Sequence, residues 1–412
     1  MSALNTALLV IGALVSVVGL FSELVKRIVA PPVLAFLIGI LLGPAVFGVL
    51  DPSTWGNQEI ILEQAARLTV AVAVMGVALR LPEGYPFSRW RSLLVMLGLL
   101  MPFMWLSSGL LTYLILGFPI WVAMLVGAVV TPTDPVVASS IVQGQVAEEN
   151  LPARIRHLLS GESSANDGLA YPFVFLPILV LQMPAGEVLS HWLLKTVLWE
   201  VVGAAACGAA IGYAAGKVLE WATQKGTAGR PSFLAYSLAL TLAALGGAKL
   251  IGTDGILAVF VAGIALNMTT SAETRGAEQD VQEAVNRFFI LPIFVLLGLT
   301  LPWEKWAELG WAGLVLVGFI LLLRRLPAVV ALSPLVPEAQ KARDVFFLGW
   351  FGPIGVAALY YATLSVHEAD AEQAWVVGSL AISASVLVHG LTAGPLTSLY
   401  GRLARVEEGA GE

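Results

Sequence analysis

The chain of 412 residues is 58% apolar and 12% charged, with a mean hydropathy of +0.85. Soluble domains carry about twice that charged share, so there is too little polar surface for one, and the chain reads as an all-α polytopic membrane protein. Its net charge of −6 includes no basic stripe or tail, which excludes nucleic-acid binding, and the lone Cys207 excludes an intrachain disulfide or a thiolate metal cluster. The four histidines, His157, His191, His367 and His389, lie far apart and without metal-ligand spacing.

The N-terminal segment MSALNTALLVIGALVSVVGLFSELVKR has neither a positive leading region nor a small-residue cleavage site. Its apolar run is long enough to cross a bilayer, so it reads as a first transmembrane helix and not as a removable signal peptide. Apolar stretches of roughly 20 residues then recur along the whole chain. They fall at about 4–25, 29–49, 62–80, 91–117, 119–142, 156–183, 189–216, 232–251, 253–268, 285–301, 308–334, 344–364 and 375–401.

Thirteen spans put the two termini on opposite sides. One set of alternate loops carries Lys26, Arg27, Arg80, Arg89, Arg91, Arg154, Arg156, Lys217, Lys225, Arg230, Arg275, Arg287, Lys341, Arg343, Arg402 and Arg405. The other set carries only Arg67, Lys195, Lys249 and Lys305, a ratio of sixteen to four that places the N-terminus outside and the C-terminus in the cytoplasm. The loops are short and the tail after Arg405 is VEEGAGE, so the chain is expected to be one transmembrane domain over 1–412 with no soluble insertion.

Charges and helix breakers at mid-depth mark the informative spans, because charge inside a membrane is costly. The fifth span, WVAMLVGAVVTPTDPVVASSIV, sets Asp134 between Pro132 and Pro135, each without an N–H, so no regular helix runs through 131–135. Such a break frees carbonyls and presents half-helix ends, the way discontinuous transporter helices make ion sites.

In the sixth span, HLLSGESSANDGLAYPFVFLPILVLQM, Ser163 and Asp167 share one helix face and Glu162 and Asn166 another, about 100° away. One face is thus able to hold an ion while the other makes structural contacts. The remainder, VFLPILVLQM, is too short to span, so GESSANDG lies partly at membrane depth; its G-E-S-S-A lacks the closing glycine of a nucleophile elbow.

The eleventh span, WAGLVLVGFILLLRRLPAVVALSP, carries Arg324 and Arg325 well inside. Two guanidiniums at this depth need partners or a path along which to snorkel to the cytoplasmic side, and Glu162 is the natural partner for one of them. The twelfth span is interrupted by Gly352, Pro353 and Gly355, which mirrors the fifth. Paired interrupted helices point to an inverted-repeat transporter, with 91–183 and 308–401 as the two copies. His389 near the end of the last span reads as a packing histidine or a pH sensor, and Glu200 and Asp254 as residues at helix interfaces.

TPTDP followed some thirty residues later by GESSANDG resembles the monovalent cation:proton antiporter superfamily, in its NhaP-like branch. DGILAVFVAGIALN, RFFILPIFVLLGLTL and VLVHGLTAGP are similar to the later helices of that family, so the resemblance covers nearly the whole chain. It implies a thirteen-helix fold working as a homodimer in the lipid bilayer of the cell (inner) membrane. An ion-carrying core bundle would comprise about 89–183 and 308–405, a dimerisation domain about 1–82 and 231–303, and a linker helix about 189–219.

Carried over residue by residue, Asp134 and Asp167 would bind the cation or a proton, assisted by the backbone of Thr133 and the hydroxyl of Ser163. Asn166 would brace the unwound fifth span, and Glu162 would pair with an arginine of the eleventh, Arg325 ahead of Arg324. Many relatives carry an acidic residue in the third span and an arginine in the twelfth-span motif. This chain has TVAVAVMGVALRL and GWFGPIG there, which leaves the site less acidic and its ion selectivity open.

A desolvated carboxylate holds either a proton or a cation in place of water, so the expected activity is sodium/proton exchange linked to pH homeostasis. Electrogenic relatives place a second aspartate at the position of Asn166, an amide that cannot titrate, so the resemblance implies electroneutral exchange of one proton per cation. No nucleotide-binding motif is present and no resident cofactor is expected beyond the transported Na+ and H+. Potassium/proton exchange is the alternative within the class; a channel would need a continuous polar pore, and an enzyme a nucleophile–base pair or a metal set.

Overall fold

The computed structural model describes residues 2–20, 30–225, 233–270 and 279–409. Those residues are helical without a strand, and the helices follow the thirteen apolar stretches in order. They are α1 (Ser2–Leu20), α2 (Pro31–Leu42), α3 (Gln58–Arg80), α4 (Trp90–Leu116) and a broken α5, with halves α5a (Ile120–Val129) and α5b (Pro135–Val142). Next come α6 (Ala153–Gln182), α7 (Ala185–Gln224), α8 (Phe233–Leu250), α9 (Gly255–Thr269) and α10 (Gln279–Leu299). The last three are α11, as α11a (Trp303–Leu323) and α11b (Leu326–Leu332), α12, as α12a (Ala342–Trp350) and α12b (Val356–Ala369), and α13 (Glu372–Gly409). Lys26, Arg27, Arg230 and Arg275 of the charge count lie outside the described residues, as does the side chain of Arg287.

Seven of the described helices (α3, α4, α6, α7, α8, α11 and α13) are long and apolar enough to cross a membrane as they stand. The described apolar parts of α1, α2, α9 and α10 are shorter, and α5 and α12 are broken. The second stretch is helical only to Leu42 and not to 49, because the chain turns at Gly43, whose N–H closes onto the Gly39 carbonyl, and at Gly48, which sits at φ 61. The stretch expected at 189–216 extends over 185–224, since nothing from Ala185 to Gln224 breaks a helix.

The eleventh stretch is not one continuous helix. It kinks at Gly310 (φ 56) and breaks at Arg324–Arg325, where Pro327 supplies no N–H to the turn before it.

Small residues let backbones meet. A Cβ added at Gly208 or Gly212 of α7 would overlap the carbonyls of Ala258 and Ala262, and one at Gly216 the Thr269 hydroxyl, so α7 lies directly on α9. Gly168 of α6 likewise abuts Leu257 of α9, where an added Cβ would stand 2.7 Å from the leucine Cβ. α5 and α12, the helices expected to lie in the middle of the two repeats, are both interrupted. The breaks cross, with the Asp134 N–H donating to the Pro353 carbonyl at 2.8 Å.

Candidate functional site

Around the crossing, the backbone that the breaks leave unpaired is met by charged side chains. Pro135 opens α5b, where a missing N–H costs nothing, and Asp134 is its N-cap, Oδ1 accepting from the Val136 N–H at 2.8 Å. Asp134 Oδ2 accepts from the N–H of Val356, the first residue of α12b, at 3.0 Å. One fully buried carboxylate therefore sits at two helix N-termini, the positive ends of their dipoles. Gly355 makes room for it, because a Cβ there would fall on Asp134 Oδ2. Gly355→Ala is accordingly expected to push the carboxylate off α12b and to lower the melting midpoint of the purified protein by roughly the loss of one charged hydrogen bond, about 1.5–3 kcal/mol. A wild-type midpoint in that variant would show that the close approach is not needed.

Arg324 does the converse. Its guanidinium is 2% exposed and does not snorkel. It donates to the carbonyls of Val130, Thr131 and Pro132 at the end of α5a and of Gly352 just past α12a, so one cation serves two helix C-termini.

Arg325 faces Glu162 in a forked pair, Nη1 to Oε1 at 2.8 Å and Nη2 to Oε2 at 3.1 Å, while its Nε donates to the Leu348 carbonyl at 2.9 Å. Glu162 Oε1 also accepts from Asn166 Nδ2 at 3.0 Å and from the Thr133 hydroxyl at 3.2 Å. Asn166 Oδ1 accepts the Thr133 backbone N–H at 3.0 Å, which ties α6 to the unwound stretch of α5. The structure thus brings Thr133, Asp134, Glu162, Asn166, Arg324 and Arg325 into one fully buried network.

Asp167 stands apart from it. Its side chain is fully buried, and neither carboxylate oxygen has a hydrogen-bond partner among the described residues. Asp134 and Glu162 bear on it electrostatically. Ser163 shares its helix face, but the Ser163 hydroxyl donates to the Ser160 carbonyl at 3.2 Å and reaches neither aspartate.

Two groups escaped the sequence reading. Tyr361 of α12b donates its hydroxyl to the Asp167 carbonyl at 2.6 Å, and Ser385 of α13 accepts the Ile354 N–H at 2.7 Å. A tyrosine and a serine on apolar helices look like packing residues, and no local pattern distinguishes these two. Asp254 caps α9 through Ile256 and Leu257 and donates its own N–H to the Glu200 carbonyl at 2.9 Å, which makes it an interface residue. α3 passes with Val74, Met75, Gly76 and Val77 buried and no acid among them.

A family model described as sodium/hydrogen exchanger, transmembrane, matches residues 10–399. The chain belongs to this family. It is a multi-pass membrane protein of a family of transmembrane exchangers, and the membrane-enzyme reading falls away. Over 92% of its length the chain is 32% identical to Na+/H+ antiporter 2 of Zygosaccharomyces rouxii, and it spans about half (51%) of that relative. To an Na+/H+ antiporter of Schizosaccharomyces pombe it is 31% identical, over 96% of this chain and 92% of that one. The fold matches the sodium proton antiporter MjNhaP1 from Methanocaldococcus jannaschii with a TM-score of 0.73 at 17% identity, covering 98% of both chains.

Proposed function

We propose that the chain exchanges sodium ions for protons across the cell (inner) membrane by alternating access, one proton for each cation, as a homodimer serving pH homeostasis. The observation that carries this reading is the Asp167 carboxyl, buried without a hydrogen-bond partner. An unpaired carboxylate at membrane depth is costly and takes up whatever positive charge reaches it. Asp134, Thr133 through its backbone and Ser163, once its hydroxyl turns from Ser160, complete the ligand set of the cargo ion.

The stoichiometry follows from counting the fixed charges. Asp134 and Glu162 are negative and Arg324 and Arg325 positive, so the network is neutral without Asp167. A proton on Asp167 and a sodium ion on it give the loaded site the same net charge. The two backbone N–H groups that Asp134 accepts favour its ionised form, which argues against a second exchangeable proton. Sodium is preferred to potassium because the relatives reported above are named Na+/H+ antiporters.

In this reading the core bundle, about 89–183 and 308–405, moves against a dimer-forming scaffold, about 1–82 and 231–303, with α7 as the link. α12b packs along α3 at the boundary between these parts. A cavity of about 420 Å³ opens at one end of that seam, between Glu59 and Leu62 of α3 and Thr363 and Val366 of α12b. The excess of arginine and lysine on one set of loops supports an outside N-terminus and a cytoplasmic C-terminus.

Proteoliposomes with a trapped pH-sensitive dye test the reading. External sodium and lithium are expected to drive proton efflux, with potassium and rubidium far weaker; equal responses to potassium would transfer the assignment to that cation. An imposed potassium–valinomycin potential should leave the point of zero net sodium flux where the proton and sodium gradients match. A reversal point that shifts with the potential would show that charge is moved and that the one-to-one count is wrong.

A further inference from the structure

Two buried side chains of α13, Ser385 and His389, lie one turn apart on the same helix face, and the ion chemistry above uses neither. Both meet the break in α12. Ser385 Oγ accepts the N–H of Ile354, in the middle of the unwound stretch, at 2.7 Å. His389 Nε2 lies 3.1 Å from the carbonyl oxygen of Trp350, the last residue of α12a. His389 Nδ1 lies 3.0 Å from both Ser385 Oγ and the Ser385 carbonyl oxygen, so the ring is held between the backbone of its own helix and that of α12a.

The result is a run of hydrogen-bond contacts: Ile354 N–H donates to Ser385 Oγ, Ser385 Oγ meets His389 Nδ1, and His389 Nε2 meets the Trp350 carbonyl. It joins the two ends of the break from outside the helix. An unwound stretch has no i→i+4 ladder of its own, so each bond from outside the helix adds to the few that fix it.

The first broken helix is braced in the same way. Thr133 N–H, at the middle of the α5 break, is accepted by Asn166 of the following helix, 33 residues on; Ile354 N–H is accepted by Ser385 of the following helix, 31 residues on. The braced stretch of α12 is the one that holds Asp134. Pro353, just before Ile354, accepts the Asp134 N–H at 2.8 Å, and Val356, two residues after it, donates to Asp134 Oδ2 at 3.0 Å.

We propose that Ser385 and His389 are the positioning brace of the second broken helix, the counterpart of Asn166 in the first, and that through Ile354 they set Asp134 for the cation. This rests on Asp134 belonging to the cation site. It separates a role in setting affinity from mere packing, because a displaced Asp134 weakens cation binding while Asp167 keeps its exchangeable proton.

The test compares Ser385→Ala, Ser385→Thr and His389→Ala with the wild-type chain in proteoliposomes over a range of sodium concentrations. Ser385→Ala and His389→Ala are expected to raise the half-saturating sodium concentration about tenfold, the effect of one unmade buried hydrogen bond, with maximal rates within about twofold. Ser385→Thr, which keeps the hydroxyl, should restore the wild-type value. A wild-type half-saturation in Ser385→Ala, an equal defect in Ser385→Thr, or a fall in maximal rate alone would overturn the proposal.

Deuterium uptake at residues 351–356 of the purified chain is read in parallel. It should rise in Ser385→Ala and not in Ser385→Thr, and unchanged uptake would overturn the brace whether or not the chain transports sodium. A wild-type chain that moves no cation, with the uptake difference present, would instead refute the exchange reading and leave the brace standing.

Discussion

Asp167→Asn is expected to reduce cation-driven proton movement to the level of empty liposomes while the purified protein stays folded. The carboxamide matches the carboxylate in shape, but it takes up no exchangeable proton and offers a cation no charge. In the folded chain neither oxygen of Asp167 has a hydrogen-bond partner among the described residues, so the substitution breaks no contact. It removes the one buried charge in the crossing that has no partner, and leaving such a charge in place costs several kcal/mol. Thermal melting should therefore show an unchanged or higher midpoint, and the dye assay no sodium response. Sodium-dependent proton movement well above background in this variant would mean that the exchangeable site lies elsewhere, with Asp134 the next residue to replace.

The second large effect concerns stability. Glu162→Gln and Arg325→Gln are each expected to destabilise the fold by about 3–5 kcal/mol, because each leaves a buried, uncompensated charge behind. Glu162 is fully buried and Arg325 is 2% exposed, and the forked pair between them is their main electrostatic compensation. The double variant removes both charges and should lose much less than the two singles combined. Arg324→Gln provides the control. Its bonds go to carbonyls at the ends of α5a and α12a and not to Glu162, so its coupling to Glu162→Gln should be smaller than that of Arg325→Gln. Strict additivity of Glu162→Gln with Arg325→Gln, read from melting midpoints of the purified variants, would show that the pair does not act as one unit.

The position of the breaks was legible, since Pro132 and Pro135 around Asp134, and Pro353 between Gly352 and Gly355, are incompatible with a continuous helix wherever they occur. The break in α11 had a comparable signal in Pro327, but a run of leucines and valines on both sides read as one helix. Glu162 was recognisable as a partner for an arginine because a lone carboxylate and a lone guanidinium at membrane depth need one another. Which arginine it meets was beyond the residues themselves. Arg324 and Arg325 are neighbours in sequence, and the break between α11a and α11b turns one toward the backbone carbonyls and the other toward Glu162. The contact of Asp134 with α12b, the Tyr361 hydroxyl on the Asp167 backbone and the Ser385–His389 pair left no trace in composition or spacing.

The sequence by itself determined the class of fold and the place where it fails to be regular. A bilayer leaves no water to satisfy a backbone, so twenty-residue apolar stretches must be helical. Paired breakers such as Pro132 with Pro135, or Gly352, Pro353 and Gly355, mark where one opens, whereas the single Pro177, Pro292 and Pro395 stay inside helices. Those are properties of residue types in order. Only the tertiary structure decided which freed backbone groups and which charges satisfy one another. Asp134 meets Val356 across 222 residues and Arg325 meets Glu162 across 163, and Coulomb and hydrogen-bond energies depend on ångströms in space and not on position in the chain. Asp167 is left over from that pairing, a buried carboxylate without a hydrogen-bond partner among the described residues, and that isolation is visible only in three dimensions.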